Sequence, residues 1–225
     1  WITNRTTGGM LISIPDNGGW IATFLDVTLN VTYIVDSTPP TTTLALTGTV
    51  GNNFWYTSNV VVTLNATDNV GGTGVALTTM DGSAYTAPRT ISTQGATTHT
   101  YFSTDAANNI ESTQSFTLNI DTVAPSSSVT SHVANAPVRG TISFGGTASD
   151  ATSGVTSVEV STNGGASWST ATLVGGNWSY SINTTSFPDG SKTFQVRSTD
   201  IAGNVQSPIS RDLLIDNTLP PASHS

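Results

Sequence analysis

The chain has 225 residues, a formal net charge of −8, only 9% charged residues and no cysteine. Six basic residues scattered along such a chain give no electrostatic footprint for nucleic acid or an anionic membrane, and disulfides and thiolate metal sites are excluded. Glu111 and Glu159 are the only glutamates, and the dominance of Thr, Ser, Val, Gly and Asn favours strands joined by tight turns over helices.

The chain begins at Trp1 rather than Met, which reads as a processed product or a piece excised from something longer, with a lost signal peptide as one fit. No apolar run approaches the length that crosses a bilayer, so membrane insertion is not expected. Met10 to Ile14 and Trp20 to Leu25 supply two candidate strands, and Val31, Tyr33 and Val35 alternate ahead of Asp36 as a final strand would. About 36 residues cannot close a sandwich unaided, so this part is expected to lean on the first complete module or to receive a strand from another copy.

Period-2 runs come next at Thr42 to Leu46, Val60 to Ala66, Val75 to Met80, Thr98 to Ser103 and Gln114 to Ile120, separated by Gly, Asn and Asp clusters. A second set has Ile142, Phe144 and Gly146 on one face, then Val158 and Val160, Trp178 and Tyr180, Phe194 and Val196, and Leu213 and Ile215. The pattern S-T-D-x-A-x-N-x-x-S occurs twice, at Ser103 to Ser112 and Ser198 to Ser207. Each copy leads to a proline-bearing linker, at Asp121 and Asp216, and a third such linker starts at Asp36. Linker aspartates 85 and 95 residues apart mark a period the size of one small β-sandwich. The expected organisation is a partial N-terminal β unit at 1–36, sandwiches at 37–121 and 122–219, and a tail at 220–225. Asp68 to Asp105 spans 37 residues and Asp150 to Asp200 spans 50, so the second sandwich should carry an extra strand or a longer hairpin.

Ala66 to Val75, Ala148 to Val155 and Ser198 to Val205 resemble the signatures of bacterial and archaeal Ig-like repeats of large secreted adhesins and cell-surface proteins. The likeness covers residues 37–219 and implies an all-β fold of tandem immunoglobulin-like β-sandwiches. The first copy departs from the second by having Asn108 where the second has Gly203.

In a sandwich of that type two loops and the incoming linker meet at one pole, which would bring together Asp36, Asp68 and Asp105 with Asn109, and Asp121, Asp150 and Asp200 with Asn204. Clustered carboxylates repel unless a cation or donors balance them, and hard oxygen ligands suit Ca²⁺. The alternative is that each aspartate caps its own turn through backbone N–H groups. The likeness to calcium-stiffened adhesin stalks implies calcium at the junctions.

Trp55 and Tyr56 beside Asn52 and Asn53 are candidates for a sugar-stacking platform, or for a plug at the end of a sandwich. Ser161 to Trp168 resembles an Asp-box hairpin with Asn163 in the aspartate position, but it occurs once and reads as an ordinary hairpin turning at Gly164 and Gly165. His99, His132 and His224 lie far apart, and no nucleophile sits in a catalytic turn context, so an enzyme is not expected. Sequons at Asn4, Asn30, Asn65, Asn177 and Asn183 reflect the composition and matter only if the source glycosylates.

The expectation is a non-enzymatic extracellular, cell-surface protein that forms a stalk or the subunit of a filament, sheath or layer. Its partners would be further copies of itself or other surface proteins. The competing reading is a glycan-binding or spacer module of a secreted hydrolase.

Overall fold

The structure, a computed structural model, describes residues 35–218. The chain divides into two compact units, residues 1–36 and 37–225. The strands expected before Val35 lie outside the described residues, as does the partial unit they imply. Among the described residues the only helical element is a 3₁₀ turn at Thr184–Ser186, and no helix is long and apolar enough to cross a membrane.

Residues 41–120 form eight strands: β1 (Thr41–Thr47), β2 (Trp55–Tyr56), β3 (Val60–Thr67), β4 (Val75–Met80), β5 (Ser83–Ala84), β6 (Arg89–Ile91), β7 (Gly95–Asp105) and β8 (Gln114–Ile120). They pair in the orders β1-β3-β6 and β2-β8-β7-β4-β5. Alternation puts Val60, Val62 and Leu64 of β3 inside, where they meet Met80, Tyr101, Leu118 and Ile120. Asp81 and Gly82 both take left-handed backbone angles and close the tight β4–β5 hairpin that an Asp-Gly pair favours. The two-residue strands were illegible in the sequence because a pair of residues carries no period.

Residues 126–215 repeat the plan with β9 (Ser126–Val129), β10 (Pro137–Val138), β11 (Thr141–Ser149), β12 (Val155–Ser161), β13 (Ser169–Thr170), β14 (Thr172–Val174), β15 (Asn177–Asn183), β16 (Gly190–Asp200) and β17 (Ile209–Ile215). Their sheets run β10-β17-β16-β12-β13 and β14-β15-β11-β9. Strand β14, added at the sheet edge beyond β15, accounts for the longer middle of this half.

Phe144 sits at the centre of the second core, 5.5 Å from the Trp178 ring and 5.7 Å from that of Phe194. Trp178 pairs with Gly146, where a Cβ would stand 1.8 Å from the Ser128 carbonyl, so only glycine lets β9 close onto β11. The indole Nε1–H donates to the carbonyls of Ser128 and Thr147, both at 3.2 Å. The two cores share no residue. The described residues are therefore all-β, apart from the one 3₁₀ turn, and form two sandwiches in series.

Among the polar ties between the sheets, one recurs in both sandwiches. In the first, Glu111 accepts from the Thr42 amide (2.9 Å), the Thr42 hydroxyl and the Ser103 amide (3.1 Å). In the second, Gln206 takes that place and accepts from the Ser127 and Ser198 hydroxyls.

Candidate functional site

The end of β8 delivers Asp121 to the top of the second sandwich. Its amide donates to the Tyr56 carbonyl at 2.9 Å, which extends the parallel β2–β8 ladder by one bond and fixes where the linker leaves. The side chain then serves the other sandwich, with Oδ2 accepting from the Ser153 amide (3.0 Å) and Oδ1 from the Val123 amide (3.1 Å). Asn204 Nδ2 donates to the Asp121 carbonyl at 2.9 Å. Asp121 is fully buried.

Two loops of the second sandwich converge on it. Asp150 Oδ1 accepts from the amides of Thr152 (3.0 Å) and Gly154 (2.8 Å), so the carboxylate holds its own turn closed. Asp200, also fully buried, accepts through Oδ1 from the amides of Gly203 and Asn204 and through Oδ2 from Asn204 Nδ2. Carboxylate oxygens of Asp121, Asp150 and Asp200 lie within 4.8 Å of one another. Turn capping by these aspartates is thus plain in the geometry.

The charge balance is a separate matter. Three carboxylates at this spacing repel by about 3 to 4 kcal/mol per pair at a protein-like dielectric. The donors that face them are neutral amides, and the ion pairs His99–Asp81 and Arg197–Glu159 involve none of the three. All donors to a cation here would be oxygens, and two oxygens bound to one Ca²⁺ at 2.3–2.6 Å stand at most about 5 Å apart, which the observed spacing meets. The donor set therefore fits calcium.

The first sandwich has the same loop chemistry. Asp68 accepts from the amides of Asn69 (2.9 Å) and Gly74 (2.6 Å), and Asp105 accepts from the Asn109 amide (2.8 Å) and from Asn109 Nδ2 (2.7 Å). Carboxylate oxygens of Asp68 and Asp105 come within 4.8 Å. Asp36, placed with them by the sequence, is the last residue of the N-terminal unit. Asn108 stands at φ +67 where Gly203 stands at φ +101, so the departure between the two copies is one that asparagine tolerates.

Trp55 and Tyr56 do not share a face, because successive residues of an extended strand point to opposite sides and Tyr56 packs against the first core. Their neighbours have another role, which the sequence did not disclose. The Asn52 amide donates to the Ala202 carbonyl (2.8 Å), and Asn53 Nδ2 to the Ile201 carbonyl (3.1 Å). Gly51 lies so close that a Cβ there would be 2.2 Å from the Ala202 oxygen. Residues 51–53 of the first sandwich are thus seated on the S-T-D-x-A-x-N loop of the second. The left-handed Asn53, at φ +51, marked a turn but not its partner.

On the sheet face of the first sandwich, His99 Nδ1 lies 2.8 Å from Asp81 and its ring stacks on Phe116 at 5.4 Å. Burial works to raise the Asp81 carboxyl, but the His99 ring and the Thr100 amide outweigh it and hold it below the usual range. Arg197 stacks on Trp168 at 4.2 Å and pairs with Glu159 at 2.8 Å, which places Trp168 beside the Gly164–Gly165 hairpin as part of the sheet surface.

Residues 125–196 match the family model of the bacterial Ig domain, a module family rather than a catalytic one. Ala148 to Val155, one of the segments that carry the likeness read from the sequence, lies inside that stretch. No curated protein sequence matches the chain. Similar solved structures include the fibronectin(III)-like modules of CbhA from Clostridium thermocellum, at 14% identity and a TM-score of 0.41, covering 82% of this chain and 100% of that one. The endo-β-1,4-mannanase from Thermotoga petrophila is 15% identical with a TM-score of 0.37, over 44% of this chain and 21% of that one. The titin Ig tandem A164-A165 is 10% identical with a TM-score of 0.29, over 80% and 98%. The chain spans about a fifth of the mannanase's length. The fold class is tandem immunoglobulin-like β-sandwiches.

Proposed function

We propose that the chain is a non-catalytic, extracellular structural segment whose two sandwiches are held end to end as a spacer within a stalk, filament, sheath or layer at the cell surface. The observation that carries this reading is Asp121, which ends the last strand of one sandwich while its buried carboxylate is bonded into the loops of the next. A linker used in this way resists bending, since any rotation breaks bonds on both sides of it. Bacterial Ig domains are usually extracellular or surface modules, which supports the location. A hydrolase that used the segment as a spacer would make the same mechanical demand of it.

Calcium is the second part of the proposal. Bound among Asp121, Asp150 and Asp200 it would cancel their mutual repulsion and tie the linker to both loops of the second sandwich. An ion that binds only the folded junction adds about 2.7 kcal/mol at a hundred times its dissociation constant, which corresponds to a rise of several degrees in melting temperature. Thermal unfolding in millimolar calcium and in excess chelator tests it, with Asp150→Asn as the control expected to lose the difference. An unchanged midpoint would remove calcium from the account.

A further inference from the structure

The far end of the second sandwich shares its principal backbone ties with the end of the first sandwich that carries the junction. In the first, β2 runs parallel to β8, and the amide of the next linker aspartate donates to the last carbonyl of the short strand, Asp121 N to Tyr56 O at 2.9 Å. In the second, β10 runs parallel to β17, and Asp216 N donates to Val138 O at 3.1 Å. Each short strand comes after a turn that holds a left-handed asparagine, Asn53 at φ +51 and Asn135 at φ +60.

The residue after the linker aspartate is gripped in both places. The Thr122 amide donates to Gln94 Oε1 at 2.8 Å, and the Asn217 amide donates to Asp189 Oδ1 at 2.7 Å. Gln94 and Asp189 are equivalent, for each directly precedes the glycine with positive φ that opens the long strand, Gly95 and Gly190. The second grip is the stronger. Asp189 Oδ2 also accepts from the Thr218 hydroxyl, and Asn217 Nδ2 donates to the carbonyls of Thr184 (3.0 Å) and Phe187 (3.3 Å) while its Oδ1 accepts from the Thr184 hydroxyl (2.8 Å).

What differs is exposure. Asp121 is fully buried, whereas Asp216 is exposed, as are Asn135 and Val133 on the turn beside it, Val133 at 78%. Pro137, Val138, Arg139, Asp216 and Thr218 line a concavity at this end.

We propose that this end is a pre-set docking pole for a further Ig-like module joined through the Asp216 linker, and that Asp189 and Asn217 are the positioning residues that aim it. The occupant is a module with a loop of the S-T-D-x-A-x-N type. Its backbone carbonyls receive donors of the 133–135 turn as Ala202 and Ile201 receive Asn52 and Asn53, and its asparagine reaches the Asp216 carbonyl as Asn204 reaches that of Asp121. A second copy of this chain docking from outside is disfavoured as the occupant. The bonds that Asp189 makes to Asn217 and Thr218 aim a chain that continues from Asp216, and a copy docking from outside would not use them. The proposal rests on the spacer reading of the first junction and extends it to a second.

Two measurements test it. In the unaltered chain, the Asn217 amide should exchange with deuterium at least tenfold more slowly than an unstructured amide, and Asp189→Ala should abolish that protection while leaving Thr122 unchanged. Exchange at the unstructured rate would overturn the proposal, and this result does not depend on any added module. The second uses the full chain continued past Pro220 by another copy of residues 126–220. The natural chain lacks cysteine, so paired spin labels can be placed across each junction. The distance distribution across the new junction should be as narrow as that across the first, and Asp189→Ala should broaden only the new one. A narrow first junction with a broad second refutes the docking pole alone; two broad distributions refute the spacer reading with it.

Discussion

Gly51→Ala probes the junction without touching either core. The glycine has an ordinary negative-φ backbone, so alanine carries no conformational penalty of its own. Its Cβ would stand 2.2 Å from the Ala202 carbonyl oxygen and 2.8 Å from Thr57 Cγ2, where real Cβ contacts do not fall below 3.0 Å. The oxygen belongs to backbone and cannot rotate away. The two loops must part by at least about 0.8 Å, which takes the Asn52–Ala202 and Asn53–Ile201 bonds from 2.8 and 3.1 Å beyond useful length. Two such bonds contribute about 1 to 3 kcal/mol in all, a weakening of the coupling by a factor of roughly 5 to 150. Amide exchange reads this directly. The Asn52 amide should lose its protection by that factor, while amides of β3 and β16 keep theirs. Unchanged exchange at Asn52, or loss spread through either sandwich, would refute the reasoning.

Other consequences are confined to one sandwich or one bond. Glu111→Ala leaves the amides of Thr42 and Ser103 without their acceptor and should destabilise the first sandwich by about 2 to 4 kcal/mol in chemical denaturation; Glu111→Gln, imitating Gln206, should recover most of it. Phe144→Ala should cost the second sandwich about 3 to 5 kcal/mol, read as a lowered transition for Trp178 fluorescence, with the first transition unmoved. The Thr218 hydroxyl and Asn217 amide hold the Asp189 carboxyl below its ordinary value. A carboxyl lowered in the folded state adds stability that is present above its unfolded value and is lost as pH falls through the folded one. The Asn217 amide signal should therefore titrate with a midpoint below the usual aspartate value of about 3.9, and a midpoint at or above it would contradict the grip.

The strands with a long alternating run were legible because burial of one face imposes period 2. Gln114 to Ile120 coincides with β8, and the Thr98 to Ser103 run lies inside the longer β7, whose half-buried start at Gly95 carries no apolar signal; Val75 to Met80 coincides with β4 although Val75 and Leu77 are exposed there. The convergence of Asp121, Asp150 and Asp200 was legible too, since the resemblance to Ig-type sandwiches brings two loops and the incoming linker to one pole. Their separate bonding roles were not, because a carboxylate that caps a turn and one that waits for a cation share the same residue and spacing. Asn52 and Asn53 remained hidden for another reason. A loop that docks on a second sandwich has no period and no charge signature, and only the placement of Ala202 reveals its partner. That Trp55 and Tyr56 face opposite ways was not legible either, since composition does not say which residues of such a stretch are extended.

Residual dipolar couplings for residues 41–120 and 126–215, measured in one weakly aligned sample with calcium present, test the spacer most directly. Both sandwiches should fit a single alignment tensor of equal magnitude, as two parts of one body must. A tensor for one sandwich markedly smaller than for the other would mean a hinge at Asp121, and the end-to-end spacer would fall.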